Sequence, residues 1–580
     1  MNHLLSKEGQ LVSKDRVWQE YPRPDFVRQS YLNLNGEWDF AIQKSKEIPS
    51  SFELKILVPF AVESLLSGIN HGIEDDDYLV YQRHFVVEQK FIRDITLLHF
   101  EAVDYETSVY LNGIHLGDHV GGYIPFSFDV SKVIKKGDNL LQVIVKDDTD
   151  NRQTSKGKQS KNRGGMWYTP TSGIWQTVWM ESVEAGHVKS AKFTPNIDDK
   201  TLTIELDVDQ NKYPVETHIS TKDNKTTIIS IKEPVTVVPF EEIDLWSPEE
   251  PNLYTVTFYA GLDQVISYFG FRKISVGQGP FGPVMYLNNQ PYFHNGLLDQ
   301  GYFSDGIMTP PSDKALKNDI IKMKELGFNT LRKHIKFELR RFYFYCDFYG
   351  MLVWQDMMSG GAFDKLRMQY MPFIGLDKMK DHTEKGYKIA GRTDSYSREQ
   401  YEQELTEMIG LLYNHPSIVI WVPFNEGWGQ FDSLRITEKI RQLDPTRLID
   451  HASGWFDQGG GDLRSVHIYL KKLKMKVDRH RRPFVLSEFG GYSYQVPDHL
   501  FNESNEYGYS KYKSMKEFED ALIALYEEQV IPLLKQGLAG TIYTQVSDVE
   551  DETNGLLTYD RKVIKVRPER IKKVMSKLKI

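Results

Sequence analysis

Ile418-Val419-Ile420-Trp421-Val422 is an unbroken apolar run that stops abruptly at Asn425-Glu426-Gly427. Apolar residues at both alternations fit a strand covered on both faces, as in a parallel sheet. A polar Asn-Glu pair at the carboxyl end of such a strand lies where α/β barrels place their chemistry. The surrounding texture agrees. After Gly282-Pro283, strand-like runs alternate with helical ones, the pattern of repeated β-α units. Ser312 is placed to cap a helix running to Leu326, with Leu316, Ile320 and Met323 on one face and Gly327 as its stop. Strands are expected at Phe328–Arg332, Met351–Trp354, Ser465–Ile468, Phe484–Leu486 and Gly540–Thr544, and helices near Glu338–Tyr349 and Glu399–Tyr413. The segment 281–580 is about 300 residues, enough for an eight-stranded (β/α)8 TIM barrel.

The chain before this segment reads as all-β. Tyr78–Val87, Ile95–Phe100 and Ser108–Leu111 are rich in β-branched and aromatic residues, and Asn112-Gly113 supplies a hairpin turn. Residues 1–183 are therefore expected to form a β-sandwich of jelly-roll type. In Thr201–Val208, Leu202, Ile204, Leu206 and Val208 alternate with Thr203, Glu205 and Asp207, a half-exposed strand. Residues 184–280 are expected to form an immunoglobulin-like sandwich. Between Asp147 and Gly165 runs a long polar stretch, DDTDNRQTSKGKQSKNRGG. A loop of this length in a compact domain is more often functional than inert, and this one is expected to reach a neighbouring domain.

Composition excludes several classes. A formal net charge of −9 gives no electrostatic case for nucleic acid or anionic membrane. No Gly-rich phosphate loop follows a strand. The single cysteine, Cys346, excludes an internal disulfide. The N-terminal MNHLLSKEGQ lacks a charged-then-apolar leader pattern, and no run of eighteen apolar residues occurs. The expectation is a soluble cytoplasmic protein. The basic run Lys562–Lys579 reads as a solvated helix face.

A second apolar run ends in an acid: Pro483-Phe484-Val485-Leu486-Ser487-Glu488, followed by Phe489-Gly490-Gly491. In a closed barrel the strand ends converge on one mouth, so Glu426 and Glu488 can face each other. Paired carboxylates at a barrel mouth suit glycoside hydrolysis, one protonated to donate to the leaving oxygen and one ionised to attack or to activate water. Spacing leaves open which carboxylate does which. Asn425 reads either as a strand-end cap or as a donor to a substrate hydroxyl.

These residues resemble glycoside hydrolase family 2, which holds β-galactosidases, β-glucuronidases and β-mannosidases. Leu34-Asn35-Gly36-Glu37-Trp38, Tyr110-Leu111-Asn112-Gly113, Gly121–Phe126 and Gly173-Ile174-Trp175-Gln176 are similar to its sugar-binding-like sandwich. Leu245-Trp246-Ser247-Pro248 and Pro251–Tyr254 are similar to its immunoglobulin-like domain, and Asn329–His334, Asn425-Glu426 and Ser487-Glu488 to its barrel. The resemblance implies a retaining double displacement with Glu426 as acid/base and Glu488 as nucleophile. It implies a substrate-binding role for Asp299 and a charge-assisted hold of Arg332 on the nucleophile. Tyr469 would hold the nucleophile too, although its spacing to Glu488 is shorter than in the best-known members. His334 and His467 are further candidates, and Gln545 and Asp548 end the last strand. Trp354 and Trp428 read equally as sugar platforms and as core.

The expected substrates are terminal β-galactosides, with a β-uronidase as runner-up and a non-catalytic sugar-binding protein as a distant third. Family glucuronidases carry an Asn-x-Lys motif near the last barrel loop, and Thr553-Asn554-Gly555-Leu556-Leu557 lacks that Lys. For a uronide, Arg481, Arg482 or the basic stretch Arg152–Arg163 would have to hold the carboxylate. No paired His at metal spacing occurs, so no metal or cofactor is expected. The resemblance allows a homo-oligomer.

Overall fold

The computed structural model describes residues 4–475 and 478–580; the first three residues of the N-terminal segment read above lie outside that range. The first sandwich packs a six-stranded antiparallel sheet, with Tyr78–Val87 and Gly137–Lys146 at its centre, on a four-stranded sheet holding Ile95–Phe100 and Val178–Val183. Inward positions such as Trp38, Phe40, Tyr81, Leu98 and Val143 form its core. The second sandwich sets a three-stranded sheet against a four-stranded one. Thr201–Val208 lies in it with Leu202, Ile204, Leu206 and Val208 buried, as its alternation requires.

The barrel strands are β1 (His294–Asp299), β2 (Thr330–Lys333), β3 (Leu352–Asp356), β4 (Ile418–Val422), β5 (Leu448–Ile449), β6 (Arg464–Ile468), β7 (Phe484–Gly490) and β8 (Leu538–Thr544). They pair in parallel in the order β5-β4-β3-β2-β1-β8-β7-β6, a ring in sequence order with its seam between β5 and β6. Leu298, Leu352, Ile420, Val485 and Ile542 fill the interior, and Val284 and Met285 of the preceding hairpin join the same cluster. Strand β5 has only two residues and escaped the sequence reading because it offers no apolar run.

Helices close the outside. Helix α1 (Asp313–Glu325) starts as expected, with the Ser312 hydroxyl accepting from the Ala315 N–H. Helix α2 (Arg340–Tyr349) ends at Gly350 in the left-handed conformation. Helix α3 (Ser395–Leu412) begins earlier than its periodicity indicates, because Asp394 accepts from the N–H groups of Tyr396 and Ser397. None of the described helices is long and apolar enough to cross a membrane.

Among the contacts that tie the sandwiches to the barrel, two stand at opposite ends of it. The polar loop after Asp147 leaves the first sandwich and pairs Ser155 with Gly360 beyond β3, while the N–H groups of Lys156 and Gly157 donate to the Ser359 carbonyl at 3.0 and 2.9 Å. At the opposite end, the Arg272 guanidinium donates to the carbonyls of Pro416, Thr446 and Ile418 at 2.9–3.1 Å. Replacing Arg272 with Met leaves the Pro416 and Thr446 carbonyls without that donor, while the Ile418 carbonyl keeps Arg447 Nε at 3.2 Å, and each orphaned buried group costs ~1–3 kcal/mol. Arg272→Met is expected to destabilise the barrel by about 2–4 kcal/mol, read as a lower urea midpoint in tryptophan fluorescence. An unchanged midpoint would mean that this clasp holds nothing.

Candidate active site

The carboxyl ends of the barrel strands converge around one buried cation. Arg332, on β2, is fully buried and uses every N–H it has. Its Nε and Nη2 donate to the two oxygens of Asp356, at the end of β3, at 2.9 and 3.0 Å. Its Nη1 donates to Glu488 Oε1 and to the Ser487 carbonyl, both at 3.1 Å, and Nη2 reaches Asn425 Oδ1 at 2.8 Å. One planar fork thus fixes side chains from β3, β7 and the end of β4, which an ammonium could not do.

Glu488 is buried in β7. Tyr469 donates to its Oε2 at 2.6 Å, and His467 Nε2 lies 3.5 Å from Oε1. The β6–β7 ladder slips between Val466 and His467, which sets His467 opposite Glu488. A bulge of this kind re-aims side chains beside a site. Burial alone would raise the Glu488 pKa, but the charges of His467, His334, Arg332 and Lys158 outweigh it and hold the carboxyl well below its usual value.

Glu426 follows β4 on a backbone with φ 54°, the left-handed region that a non-glycine residue rarely adopts. Such strain costs ~1–3 kcal/mol and persists only where its surroundings impose it. The Glu426 N–H donates to the Ser453 carbonyl at 2.9 Å, and Oε1 lies 2.7 Å from His467 Nδ1. Gly454 keeps that space open: a Cβ there would meet the His467 ring at 2.8 Å. The Glu426 side chain is 23% exposed against 7% for Glu488, so Glu426 is the carboxyl nearer solvent. Ligand atoms of Glu426, His467 and Glu488 lie within 4.8 Å of one another, and this trio is the set that could hold a metal ion among the described residues.

His334, Asn425, Glu426, Tyr469 and Glu488 line one cleft, as does Trp428. Arg332 sits behind Glu488, and His467 lies between the two carboxyls. His334 Nδ1 is 2.7 Å from Asp356, and burial holds its pKa well below the ordinary value. Gln545 braces the cleft wall, donating to Glu552 at 2.8 Å and Asn554 at 2.7 Å.

Other expectations are corrected. Asp299 is turned away from the cleft, where Lys333 donates to it at 2.7 Å in a buried cluster with Glu338. Trp354 is inside the barrel, its Nε1 donating to His294 Nδ1 at 2.9 Å, so its core reading holds. Asp548 pairs with Lys565 at 2.6 Å. Arg482 is bound by Asp457 and Asp478, Arg481 points to solvent, and neither lines the cleft.

Several residues of the cleft, and one behind it, had escaped the sequence reading. Asp356 ends an apolar strand in the same way as Glu426 and Glu488, so its signal was present. Tyr509 stacks on Tyr469 with ring centres 3.9 Å apart, and Tyr507 lies beside it. Glu552 accepts from Tyr168 at 3.0 Å, and burial raises its pKa against the opposing charge of Lys158. Lys158, Met166 and Trp167 enter from the first sandwich on the polar loop. The Lys158 ammonium lies 5.7 Å from the Tyr168 ring centre, and no described carboxylate forms an ion pair with it. Nothing local in the sequence separates Lys158 from the other lysines of its loop.

Three descriptions match along the chain: glycosyl hydrolases family 2, sugar binding domain, over 69–181; glycosyl hydrolases family 2 over 186–272; and glycosyl hydrolases family 2, TIM barrel domain, over 285–580. A protein named putative β-glucuronidase from Formosa agariphila is 24% identical over 526 residues, covering 82% of this chain and 58% of that protein. A β-galactosidase from Thermoanaerobacterium thermosulfurigenes is 25% identical over 450 residues, covering 71% of this chain and 57% of its own. The chain thus spans less than two thirds of the length of either relative. A β-glucuronidase from an uncultured Clostridium sp. superposes with a TM-score of 0.75 at 18% identity, covering 97% of this chain and all of that one, which shows a shared fold.

The Tyr469–Glu488 hydrogen bond has a measurable consequence. A hydrogen bond to a charged group is worth ~1.5–3 kcal/mol, which is about one to two units of pKa. Because the phenol donates to the ionised carboxyl, Tyr469→Phe should move the Glu488 titration upward by that amount in carboxyl 13C NMR. An unmoved titration would mean that the phenol does not hold the charge.

Proposed function

The chain belongs to glycoside hydrolase family 2, and from that premise we propose that it is a retaining β-glycosidase releasing terminal sugars, with Glu488 as nucleophile and Glu426 as acid/base. The observation that carries this reading is the closeness of the two carboxyls. Ligand atoms of the pair within 4.8 Å fit the short spacing of double displacement, ~5–5.5 Å, rather than the ~6.5–9.5 Å that leaves room for an inverting water.

In the first step a Glu488 oxygen attacks the anomeric carbon while the glycosidic C–O bond breaks and the leaving oxygen takes the Glu426 proton. In the second, water gives a proton to Glu426, its oxygen bonds to the anomeric carbon, and the glycosyl ester to Glu488 breaks. Arg332 and Tyr469 hold Glu488 ionised and aimed between steps. The less buried Glu426 sits where a leaving group departs and water arrives.

For the sugar we place a uronide ahead of a galactoside. Lys158 brings an ammonium without an ion-pair partner into the cleft, a site for a carboxylate that the missing Asn-x-Lys lysine does not provide. It belongs to the basic stretch singled out for this role. The resemblance to a protein named putative β-glucuronidase points the same way. A neutral galactoside is the second reading, favoured by Gln300, Thr544 and Asn554 as partners for hydroxyls and by the relative named β-galactosidase.

Initial rates on aryl β-glucuronide, β-galacturonide, β-galactoside, β-glucoside and β-mannoside, with Glu488→Gln as the blank, test both levels. Glu488→Gln should abolish turnover. Glu426→Ala should slow substrates with poor leaving groups by ~10²–10⁴ and activated aryl ones far less; equal losses would remove Glu426 from the acid role. A charge-assisted contact of ~1.5–3 kcal/mol makes Lys158→Met worth about 10–100-fold in kcat/KM on uronides. A galactoside preference that Lys158→Met does not alter would overturn the uronide reading.

A further inference from the structure

A second pocket, of about 450 Å³, opens beside the catalytic cleft and shares with it Met166, Trp167, Phe363 and Tyr507. That size falls within the ~300–1,000 Å³ of small-ligand sites. Its place follows from Glu426. Trp428, two residues on, meets the edge of Trp167 at 5.0 Å and of Phe363 at 6.0 Å, and these two rings form the wall common to both pockets. The pocket thus adjoins the cleft on the side of Glu426 and Trp428.

Its lining includes Lys156, Arg163 and Lys365 and contains no acidic residue. Lys156 is buried and held by Asp150 at 3.4 Å. Arg163 stands 3.5 Å from Glu550 and lies over the Phe501 ring. Lys365 is exposed, and no described carboxylate pairs with it. The adjoining Gly164 and Gly165 have φ of 134° and 60°, so a side chain at either would be strained as well as bulky.

We propose that this pocket is a leaving-group subsite for an anionic sugar, so that the enzyme acts on acidic oligosaccharides. The inference rests on the glycosidase reading and deepens it. Trp167, Phe363 and Tyr507 offer aromatic surface to a sugar ring, and Lys365, which has no described carboxylate partner, meets a carboxylate or sulfate on it, with Arg163 and Lys156 adding positive charge although carboxylates already flank them. The anion is the shared chemistry; carboxylate and sulfate are told apart by experiment.

The probes are three β-linked disaccharides that share the glycon selected by the aryl panel and carry glucose, glucuronate or glucose 6-sulfate at the leaving position. Dissociation constants are measured by calorimetry on Glu488→Gln, and kcat/KM on the wild type. At least one anionic disaccharide should bind 10-fold or more tightly than the neutral one. The gap should shrink in 0.5 M NaCl, and Lys365→Glu or Arg163→Gln should narrow it to 3-fold or less. The anionic member with the larger gap identifies the carboxylate or the sulfate. Equal affinities, a gap indifferent to both substitutions, or no binding of all three would overturn the subsite. The aryl panel, whose neutral nitrophenol makes no use of the cations, tests the parent reading by itself.

Discussion

The buried guanidinium of Arg332 is the interaction on which the site depends. An ion taken out of water costs several kcal/mol unless its hydrogen bonds are replaced, and here every N–H has an acceptor. Those acceptors come from three strands, so satisfying one cation sets the positions of Asp356, Asn425 and Glu488 together. Asp356 in turn fixes His334, and Glu488 faces Tyr469 and His467. Removing any acceptor leaves a buried donor or charge unpaired. The fork therefore fixes these side chains at the barrel mouth and adds to the effects of His467 and His334 that lower the Glu488 pKa.

The first sandwich completes the cleft through its polar loop, which is tied down by the same kind of chemistry. Arg152 donates to Asp147 at 2.5 Å and to Asp104 at 2.8 Å and lies over the Tyr105 ring at 3.6 Å. Gln159 donates to Asp104 and Tyr123. Burial and the neighbouring Asp147 push the Asp104 pKa up, against the opposing charge of Arg152. Backbone pairing at Ser155–Gly360 holds the far side of the loop against the barrel. Between the two anchors Lys158 is carried into the cleft.

The division of what was legible in the sequence follows from this construction. Glu426, Glu488 and the strands that carry them announce themselves as polar residues at the ends of apolar runs, because a strand buried on both faces must be apolar until it emerges, whereas Arg332, after Phe328-Asn329-Thr330-Leu331, is reached through the resemblance. The strand-end reasoning also reaches Asp356. The resemblance fails for Asp299, at the end of the strand His294–Asp299, because Lys333 and Glu338 draw it away from the mouth. Strand-end reasoning fails for Trp354 because a strand's inward face carries the same residue type in the core as at the rim. Lys158 could not be singled out at all: its place depends on where Arg152 and Gln159 fasten the loop, a long-range fact that no local pattern encodes.

The cations around the cleft differ in setting, and the setting decides what each can do. Arg332 is dry and fully bonded, so it has no donor left for a ligand and acts on Glu488. Lys158 is half-buried beside an aromatic ring, where a contact with an anion is strengthened by the lower dielectric. Lys365 stands in solvent, where attraction is weaker and a Debye length of ~8 Å at physiological salt limits its reach. From Arg332 through Lys158 to Lys365 the cations become more exposed, while Glu426 and Glu552 line the same cleft. With Glu426, Glu488 and Glu552 in the cleft wall, the placement of the one Lys158 ammonium, and not the net charge of −9, would decide between an anionic and a neutral ligand.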